Sequence, residues 1–180
     1  SAEKLYANPI STSDIVLKPT DFAGLIPKMI VKVGDKVKAG SPLFYNKEMD
    51  RVLFTSPISG EVTEINRGEK RKILEVKVKA DGENTFSSFK QGDPTGMSKE
   101  EVLDNMLKSG VWPFVRQRPY DVVANPMDTP KAIHVTAFDS APLAPDYGFI
   151  AHGEADTLQV GLDALIKLTS GTVHLNITGN

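Results

Sequence analysis

Two short blocks, VGDKVKAG at Val33–Gly40 and SPISGEV at Ser56–Val62, decide the fold of the N-terminal half of this sequence. Both combine β-branched residues with glycines at positions suited to tight turns. From Asp14 to Lys79, short apolar runs are separated by Gly, Pro and Asn, and no stretch has the spacing of an amphipathic helix. This half is therefore predicted to be all β.

Four apolar runs predict the main strands of this half: Ile15–Leu17, Leu43–Tyr45, Val52–Thr55 and Ile73–Val78. In the last run, Leu74, Val76 and Val78 alternate with the charged residues Glu75, Lys77 and Lys79. Because successive side chains of a strand point to opposite faces, this alternation predicts a strand with one face in the core and one in water. We expect a small barrel or sandwich.

The two glycine-containing blocks resemble those of biotinyl and lipoyl carrier domains, which are flattened β-barrels with a modified Lys at a hairpin tip between the blocks. At the carrier spacing, the tip falls on residues 48–51, the acceptor position is occupied by Asp50, and Lys47 lies off the tip. A carboxylate cannot form the amide that a Lys amine forms with biotin or lipoate. The resemblance thus implies a barrel-sandwich hybrid fold and opposes a carrier role.

The C-terminal half begins with a helix. Residues 81–97 are rich in Gly, Ser, Asn and Pro and are interpreted as a surface connection. Ser98 and Glu101 have the spacing of a capping box, so a helix is predicted from Lys99 to about Ser109 and is expected to end at Gly110. Prolines at 113, 119, 126 and 130 predict an extended stretch after it.

A βαβ unit is predicted beyond that stretch. Ala132–Phe138 is a nearly continuous apolar and β-branched run, typical of a strand covered on both faces by helices. Leu158, Leu162, Leu165 and Ile166 have helical spacing within a helix predicted from about Glu154 to Leu168. Thr172–Ile177 is predicted to be the second, parallel strand.

The predicted fold class is α+β with two domains, a carrier-like barrel-sandwich hybrid followed by the start of a Rossmann-like α/β domain. The expected division is an N-terminal tail at 1–14, the β domain at 15–80, a linker at 81–97 and a partial α/β domain at 98–180. We expect the chain to be an internal fragment, since it has no initiator Met and stops after the second strand of a sheet whose edges would be bare.

Composition excludes several classes of function. The 180 residues carry a net charge of −2, which disfavours binding to nucleic acid. There is no Cys, so disulfides, thiolate zinc sites, iron–sulfur ligation and thiol catalysis are ruled out within this chain. No apolar run reaches the roughly 20 residues that a membrane-spanning helix needs, and we expect a soluble chain.

Nucleotide and metal sites are not indicated. The loop after Phe138 (residues 139–145) offers prolines instead of the glycines that cradle phosphate, and an Asx turn at Asp139 is the preferred interpretation. His134 and His174 occupy similar positions in the two predicted strands, but no third ligand is indicated, so a pair of structural histidines is preferred to a metal site. No catalytic triad can be assigned from sequence.

A second resemblance extends from about Ile15 to Leu175. Its first blocks are Phe22–Leu25, leading into Pro27 and Met29, and Ile65–Arg71. Further blocks keep the same order: Ser109–Trp112, Arg116, Arg118–Pro119, Thr129–Ala132, Val135–Ala137, Asp139, Pro142–Leu143, Gly161–Leu162 and Leu168. Together they are similar to the cytoplasmic A subunit of sodium-translocating NADH:quinone oxidoreductases, a family related to the C subunit of the ferredoxin-dependent complex and to the flavin subunit of respiratory complex I.

The resemblance implies a scaffold without a redox centre of its own. In the related flavin binders, a run of glycines after the first helix lies against the flavin phosphate, whereas here Val111–Pro119 is bulky and rich in proline. No cofactor, metal or catalytic residue is therefore expected in this chain. The resemblance implies quinone as the substrate of the complex, with FMN, riboflavin and iron–sulfur centres in partner subunits.

The implied role is quinone docking and complex assembly at the cytoplasmic side of the bacterial inner membrane, with the chain lying peripherally next to the membrane-embedded B subunit. Candidate quinone-binding residues supply aromatic and apolar surface and hydrogen-bond donors: Phe22, Gly24, Leu25, Trp112, Phe114, Arg116 and Arg118. The alternatives are that Trp112 and Phe114 only pack the fold while the two Arg pair with surface acids, and that the whole chain is a pure protein-interaction module.

Overall fold

The computed structural model describes residues 3–178; the ends of the predicted tail and α/β domain, at residues 1–2 and 179–180, lie outside the described residues. The chain forms two compact units. One contains Ser11–Gln91 and Leu103–Asp128; the other contains the chain up to Ile10, Gly92–Val102 and the chain from Thr129 onward. The predicted domain boundaries, with a linker at 81–97, stay a prediction.

The first unit is built on two antiparallel sheets, as expected from the short apolar runs. The strands are β1 (Asp14–Leu17), β2 (Pro27–Met29), β3 (Lys36–Val37), β4 (Pro42–Asn46), β5 (Met49–Thr55), β6 (Gly60–Arg67) and β7 (Ile73–Ala80). The larger sheet has the order β1-β7-β6-β3 and the smaller one β2-β4-β5. Between them lie short 3-10 turns at Pro19–Asp21 and Glu69–Arg71.

The core of this unit is made by side chains from both sheets. Its fully buried strand residues include Leu43, Phe44, Val52, Val62, Val76 and Val78, and Leu107 is buried in the same unit. Burying each of these side chains contributes about 1.5–3 kcal/mol to folding. All of these strand residues except Val62, which lies on β6, fall within the four predicted runs, so the predicted β half and those core strands are confirmed.

The alternation predicted for β7 is wrong at one residue. Val76 and Val78 are buried, but Ile73 takes the next buried position and Leu74 is 37% exposed. The pairing register between β6 and β7 shifts between Asn66 and Arg67, which pair with Glu75 and Ile73 respectively. Because such an irregularity changes which residues face inward, the strict period of two ends there.

Helix α1 (Lys99–Ser109) has the predicted bounds and the predicted cap. The backbone N–H of Ser98 donates to Glu101 Oε2 at 2.9 Å, and the backbone N–H of Glu101 donates to Ser98 Oγ at 3.3 Å. Gly110 follows in the left-handed region, with φ of 77°. The capping box and the glycine stop of this helix are both confirmed.

Past Gly110 the chain is extended and turn-rich, as the prolines predicted. A 3-10 turn at Trp112–Phe114 is followed by a small antiparallel ladder of β8 (Arg116–Gln117) and β9 (Val122–Val123), both within the first unit. The Arg118–Pro119 peptide bond between the two strands is cis. The 3-10 turn that leads into this ladder lies close to β5.

The second unit contains the predicted βαβ unit. Strands β10 (Ala132–Thr136) and β11 (Thr172–Asn176) pair in parallel, and α3 (Ala155–Ile166) lies between them in sequence. A single turn of helix, α2 (Tyr147–Ile150), precedes α3. The elements match the prediction, with shorter strands and a shorter α3 than expected.

The expectation that Ala132–Phe138 is covered on both faces is wrong for the part of the chain that the structure describes. Burial along β10 alternates between half-buried and exposed residues, and Phe138 is exposed. The parallel pair has only two strands, and α3 contacts β11. A two-stranded sheet leaves both edges and much of its surface open to solvent.

The N-terminal segment belongs to the second unit. The Tyr6 ring packs against Phe149 of α2, with ring centroids 4.9 Å apart, and Lys4 forms an ion pair with Asp146.

Within residues 3–178, no helix is both long and apolar enough to cross a membrane.

Candidate functional site

An open apolar groove lies on the first unit and has a volume of about 360 Å³. This "first groove" is lined by Ile15–Leu17 of β1, by Phe22, by Phe54 and Thr55 at the end of β5, and by Pro57, Gly110, Pro113 and Phe114. Its volume falls within the range typical of small-molecule sites. Two of the predicted quinone-binding residues, Phe22 and Phe114, are therefore brought together.

One wall of the first groove is anchored in the hydrophobic core by stacked aromatic rings. Phe22 meets Phe54 edge-to-face, with centroids 4.8 Å apart and planes at 76°, and Phe54 stacks on Phe44 at 4.8 Å and 16°. Both geometries are favourable for aromatic pairs. Since Phe44 is fully buried, the chain of rings fixes the position of Phe22 at the groove.

A second part of the lining comes from the 3-10 turn at Trp112–Phe114. Trp112 is buried, and its indole Nε1–H donates to the carbonyl of Ala124 at 2.8 Å. Pro113 is also buried, and the backbone N–H of Val115 donates to the Trp112 carbonyl at 2.8 Å. Phe114 is left 77% exposed at the rim of the groove. Trp112 thus supports the wall and does not line the groove.

Among the residues that line the first groove, Thr55 alone carries a side-chain hydroxyl. This hydroxyl donates to the Ser109 carbonyl at 3.3 Å, a long hydrogen bond. A hydroxyl in such a bond can redirect its proton to a ligand carbonyl at small cost. The groove therefore combines aromatic walls with one hydrogen-bond donor.

Arg116 and Arg118 are not among the residues that line the first groove. The Arg116 guanidinium donates to the Asp121 carbonyl at 2.7 Å and lies 3.5 Å from its carboxylate, and Arg118 lies 3.8 Å from the same carboxylate. Both side chains brace the turn between β8 and β9. The structure therefore agrees with the alternative in which the two Arg pair with a surface acid.

Gly24 and Leu25 line a second groove of about 430 Å³. This "second groove" is formed by the loop Pro19–Pro27 against Lys72 and Ile73 at the start of β7. Phe22 contributes to both grooves. The seven predicted residues thus divide among two grooves, a supporting turn and a pair of surface arginines.

Sequence reasoning missed Phe54, Thr55 and the β1 residues of the first groove. The sequence predicts Val52–Thr55 to be a core strand. Its apolar pattern does not show which of its side chains line a surface groove and which are enclosed in the core. The groove forms where the end of α1 at Gly110 comes close to β5, and the two segments are far apart in sequence.

The hairpin tip between the two glycine blocks is not where the sequence placed it. The turn between β4 and β5 is Lys47–Glu48, flanked by the pair Asn46 and Met49, while Asp50 lies within β5. The side-chain Oδ1 of Asn46 accepts from the backbone N–H of Glu48 at 3.2 Å and shapes this turn. Lys47 is therefore at the tip, and the argument from Asp50 against a carrier role does not hold.

His134 and His174 lie side by side in register on β10 and β11, with ring centroids 4.7 Å apart and planes at 13°. Both are exposed, so the two rings stack at the surface of the sheet. Among residues 3–178, no group of three or more His, Cys, Asp or Glu side chains is close enough to hold a metal ion. Asp139 forms the predicted Asx turn, accepting from the backbone N–H of Ala141 at 2.8 Å.

Among the described residues, Asp81, Asp93 and Asp146 have a lowered pKa, and each is a turn or cap residue away from the grooves. A hydrogen bond from the buried Ser59 lowers the pKa of Asp81, and a backbone hydrogen bond from Thr95 lowers the pKa of Asp93. A hydrogen bond from Lys4 lowers the pKa of Asp146. Each shift is caused by the hydrogen bonds of a turn or cap, which indicates a structural role for these three carboxylates.

Comparison with known families gives two matches that together span most of the chain. Residues 1–81 match the model of the NqrA N-terminal barrel-sandwich hybrid domain, and residues 97–180 match that of the NqrA second alpha/beta domain. The predicted fold class, a barrel-sandwich hybrid followed by an α/β domain, is confirmed.

Curated relatives are named as the A subunit of Na(+)-translocating NADH-quinone reductase. The protein from Marinomonas sp. (strain MWYL1) is 40% identical over 157 residues, which is 86% of this chain and 35% of the relative. The protein from Cellvibrio japonicus is 39% identical over the same length, and that from Tolumonas auensis is 40% identical over 174 residues, 95% of this chain and 39% of the relative. This chain thus spans less than two fifths of the length of these relatives.

Proposed function

Since this chain belongs to the NqrA family, we propose that it forms part of the A subunit of a sodium-translocating NADH:quinone reductase and contributes to quinone docking and complex assembly. In this proposal the chain carries no redox centre. FMN, riboflavin and iron–sulfur centres reside in partner subunits, and the chain sits peripherally on the cytoplasmic side of the bacterial inner membrane, next to the membrane-embedded B subunit.

The first groove is the observation that carries the quinone proposal. A quinone presents a flat ring, an apolar tail and two carbonyl oxygens. Phe22 and Phe114 provide aromatic surface for the ring, β1 continues the apolar lining, and the Thr55 hydroxyl is positioned to donate to a carbonyl oxygen. The proposed site is therefore Phe22, Phe114 and Thr55, with Trp112 as a positioning residue.

The other candidate residues have different roles in this proposal. Gly24 and Leu25 shape the loop that presents Phe22, since Gly24 has a φ of 75° and allows the chain to turn there. Arg116 and Arg118 hold the β8–β9 turn through Asp121 and contact a quinone only if that ion pair opens. Substituting them is expected to affect binding less than substituting Phe114.

Titration of the purified protein with a short-chain soluble quinone tests the site. Phe114→Ala removes one wall and is expected to raise the Kd about 10-fold, on the scale of one buried aromatic contact. Tyr120→Ala is the matched control, because Tyr120 is 78% exposed and is not among the groove residues. An equal Kd for wild type and Phe114→Ala would contradict the proposal that quinone binds in the first groove.

The second candidate is a pure assembly module, favoured by the exposure of Phe114 and Val16 at the groove, which suits a protein contact as well as a ligand. The two candidates are separated by measuring complex assembly in a Phe114→Ala strain and quinone binding by the purified Phe114→Ala protein. Loss of assembly with unchanged quinone binding would support the module alone.

The absence of a prosthetic group is tested by intact mass and by colour. Because Lys47 is at the β4–β5 tip, an attached biotin or lipoate would appear as an added mass that Lys47→Arg removes. We expect the unmodified mass and a colourless protein. A yellow preparation, or a mass increase lost in Lys47→Arg, would contradict the proposal.

A further inference from the structure

The turn that joins β6 to β7 places two basic residues in a backbone conformation that favours Asn and Gly. The backbone N–H of Lys72 donates to the Glu69 carbonyl at 3.1 Å, and between them Lys70 has φ 53° and ψ 29° and Arg71 has φ 61°. Positive φ at both central residues defines the type I′ hairpin turn, for which Asn-Gly is the usual sequence. Lys and Arg are strained there, and such local conflicts concentrate at functional sites.

The same turn concentrates positive charge. Over residues 67–72 there are four basic side chains and one acid, Glu69, hence a net charge of +3 in a chain whose total is −2. Arg67, Lys70, Arg71 and Lys72 are all exposed, and within the described part of the chain none of them forms an ion pair. The Arg67 guanidinium donates to the Arg71 carbonyl at 3.4 Å.

Nearby carboxylates are engaged elsewhere and do not neutralise the turn. Glu75 accepts from the Asn66 amide at 3.1 Å and lies 3.6 Å from the Lys18 ammonium. Glu64 lies 3.4 Å from the ammonium of Lys77. The positive charge of the turn is therefore presented to solvent.

An apolar loop lies directly beside this charge. The second groove brings the loop Pro19–Pro27 against Lys72 and Ile73, and Ile26 of that loop is 47% exposed. Basic side chains next to exposed aliphatic residues are the composition of surfaces that bind at the boundary between lipid headgroups and acyl chains.

We propose that the basic turn at Arg67–Lys72 and the loop Pro19–Pro27 together bind the surface of a bilayer that contains anionic phospholipid. The basic side chains contact headgroup phosphates, and Leu25 and Ile26 lie at the headgroup boundary. A lipid surface offers phosphates and an apolar layer side by side, which matches basic residues next to the exposed Ile26 better than an acidic protein segment does. The proposal stands whether or not the first groove binds quinone.

Co-sedimentation of the purified protein with vesicles tests this surface. Binding is expected with phosphatidylcholine vesicles that contain phosphatidylglycerol, to be absent with phosphatidylcholine alone, and to fall as salt rises. The decisive variant is Lys70→Asn/Arg71→Gly, which installs the preferred turn sequence and removes two charges. Its vesicle binding should fall at least about 10-fold while its thermal stability is equal to or above that of wild type.

The matched control is Lys36→Gln/Lys38→Gln, which removes two charges from the region of β3 and should change vesicle binding less than about 2-fold. Ile26→Ser tests the apolar loop and should weaken binding several-fold.

Equal losses in the two double variants would show non-specific attraction and overturn the site. Absence of vesicle binding, with binding of poly-glutamate instead, would assign the turn to an acidic protein partner and also overturn it. Quinone titration of Lys70→Asn/Arg71→Gly keeps the two proposals separate.

Discussion

Gly110 and Thr55 approach so closely that a Cβ on Gly110 would clash with Thr55 Oγ1. Gly110 ends α1 with a φ of 77°, and Thr55 ends β5, so the contact joins a helix terminus to a strand terminus. Both residues line the first groove. A glycine is required at this position for two reasons: its φ is positive, and there is no room for a Cβ beside Thr55. Substitutions can test each reason.

Gly110→Ala is expected to destabilise the protein by about 2–4 kcal/mol, because it adds backbone strain to a steric clash with Thr55. Urea unfolding measures the change. Gly24→Ala is the control: Gly24 also has positive φ, but nothing lies within 4 Å of the position that an added Cβ would take, so only the strain of about 1 kcal/mol applies. Equal losses for the two variants would contradict the close contact.

Trp112→Phe is expected to cost about 1–2 kcal/mol, since it removes the indole N–H that donates to the Ala124 carbonyl while keeping most of the buried ring. The free energy of unfolding should fall by that amount. Tyr120→Phe, at an exposed residue, should stay within about 0.5 kcal/mol of wild type. A neutral Trp112→Phe would mean that the hydrogen bond does not hold the turn.

Gly161→Ala is expected to stabilise the second unit by about 0.5–1 kcal/mol, because Gly161 lies inside α3, is exposed and has open space around its Cβ position. Gly153→Ala, just before α3, should have the opposite sign, since Gly153 has a φ of 84°. Thermal unfolding of both variants measures the difference. A lower Tm for Gly161→Ala would indicate that this face of α3 is covered in the protein.

Asp81 is expected to contribute to the acid sensitivity of the fold. The hydrogen bond from Ser59 lowers the pKa of Asp81 in the folded state, so folding is favoured above the usual pKa of an Asp and this contribution is lost as pH falls through the lowered value. Between pH 6 and about 3, the Tm of wild type should therefore fall more than that of Asp81→Asn. Parallel pH profiles would show that the hydrogen bond does not favour the ionised form.

Local sequence signals predicted the secondary structure well. The Ser98–Glu101 capping box and Gly110 set the bounds of α1, since both act within one turn of chain. The runs at Leu43–Tyr45 and Val52–Thr55 lie within β4 and β5, because β-branched and aromatic residues suit a half-buried pleated surface. The ordered blocks from Phe22 to Leu168 likewise predicted the family.

Positions that depend on register or turn geometry were predicted less well. Lys47, and not Asp50, occupies the β4–β5 tip, because a two-residue turn closes the hairpin earlier than the carrier spacing implies. Leu74 is exposed because the β6–β7 register shifts beside it. A one-residue change reverses the face of every following side chain, and no local preference encodes it.

The amino-acid sequence by itself determined the family, the all-β character of the first half, and the cap and stop of α1, because these depend on composition and on contacts within a few residues. Only the tertiary structure decided which candidate residues share a groove. It placed Phe22 and Phe114 together, buried Trp112 as a support, and turned Arg116 and Arg118 toward Asp121. The meeting of Phe22 and Phe114 follows from the approach of β5 to the end of α1, and a contact between residues so distant in sequence is set by packing of the whole unit. The two Arg pair with Asp121 inside one short turn, whose shape the sequence did not reveal.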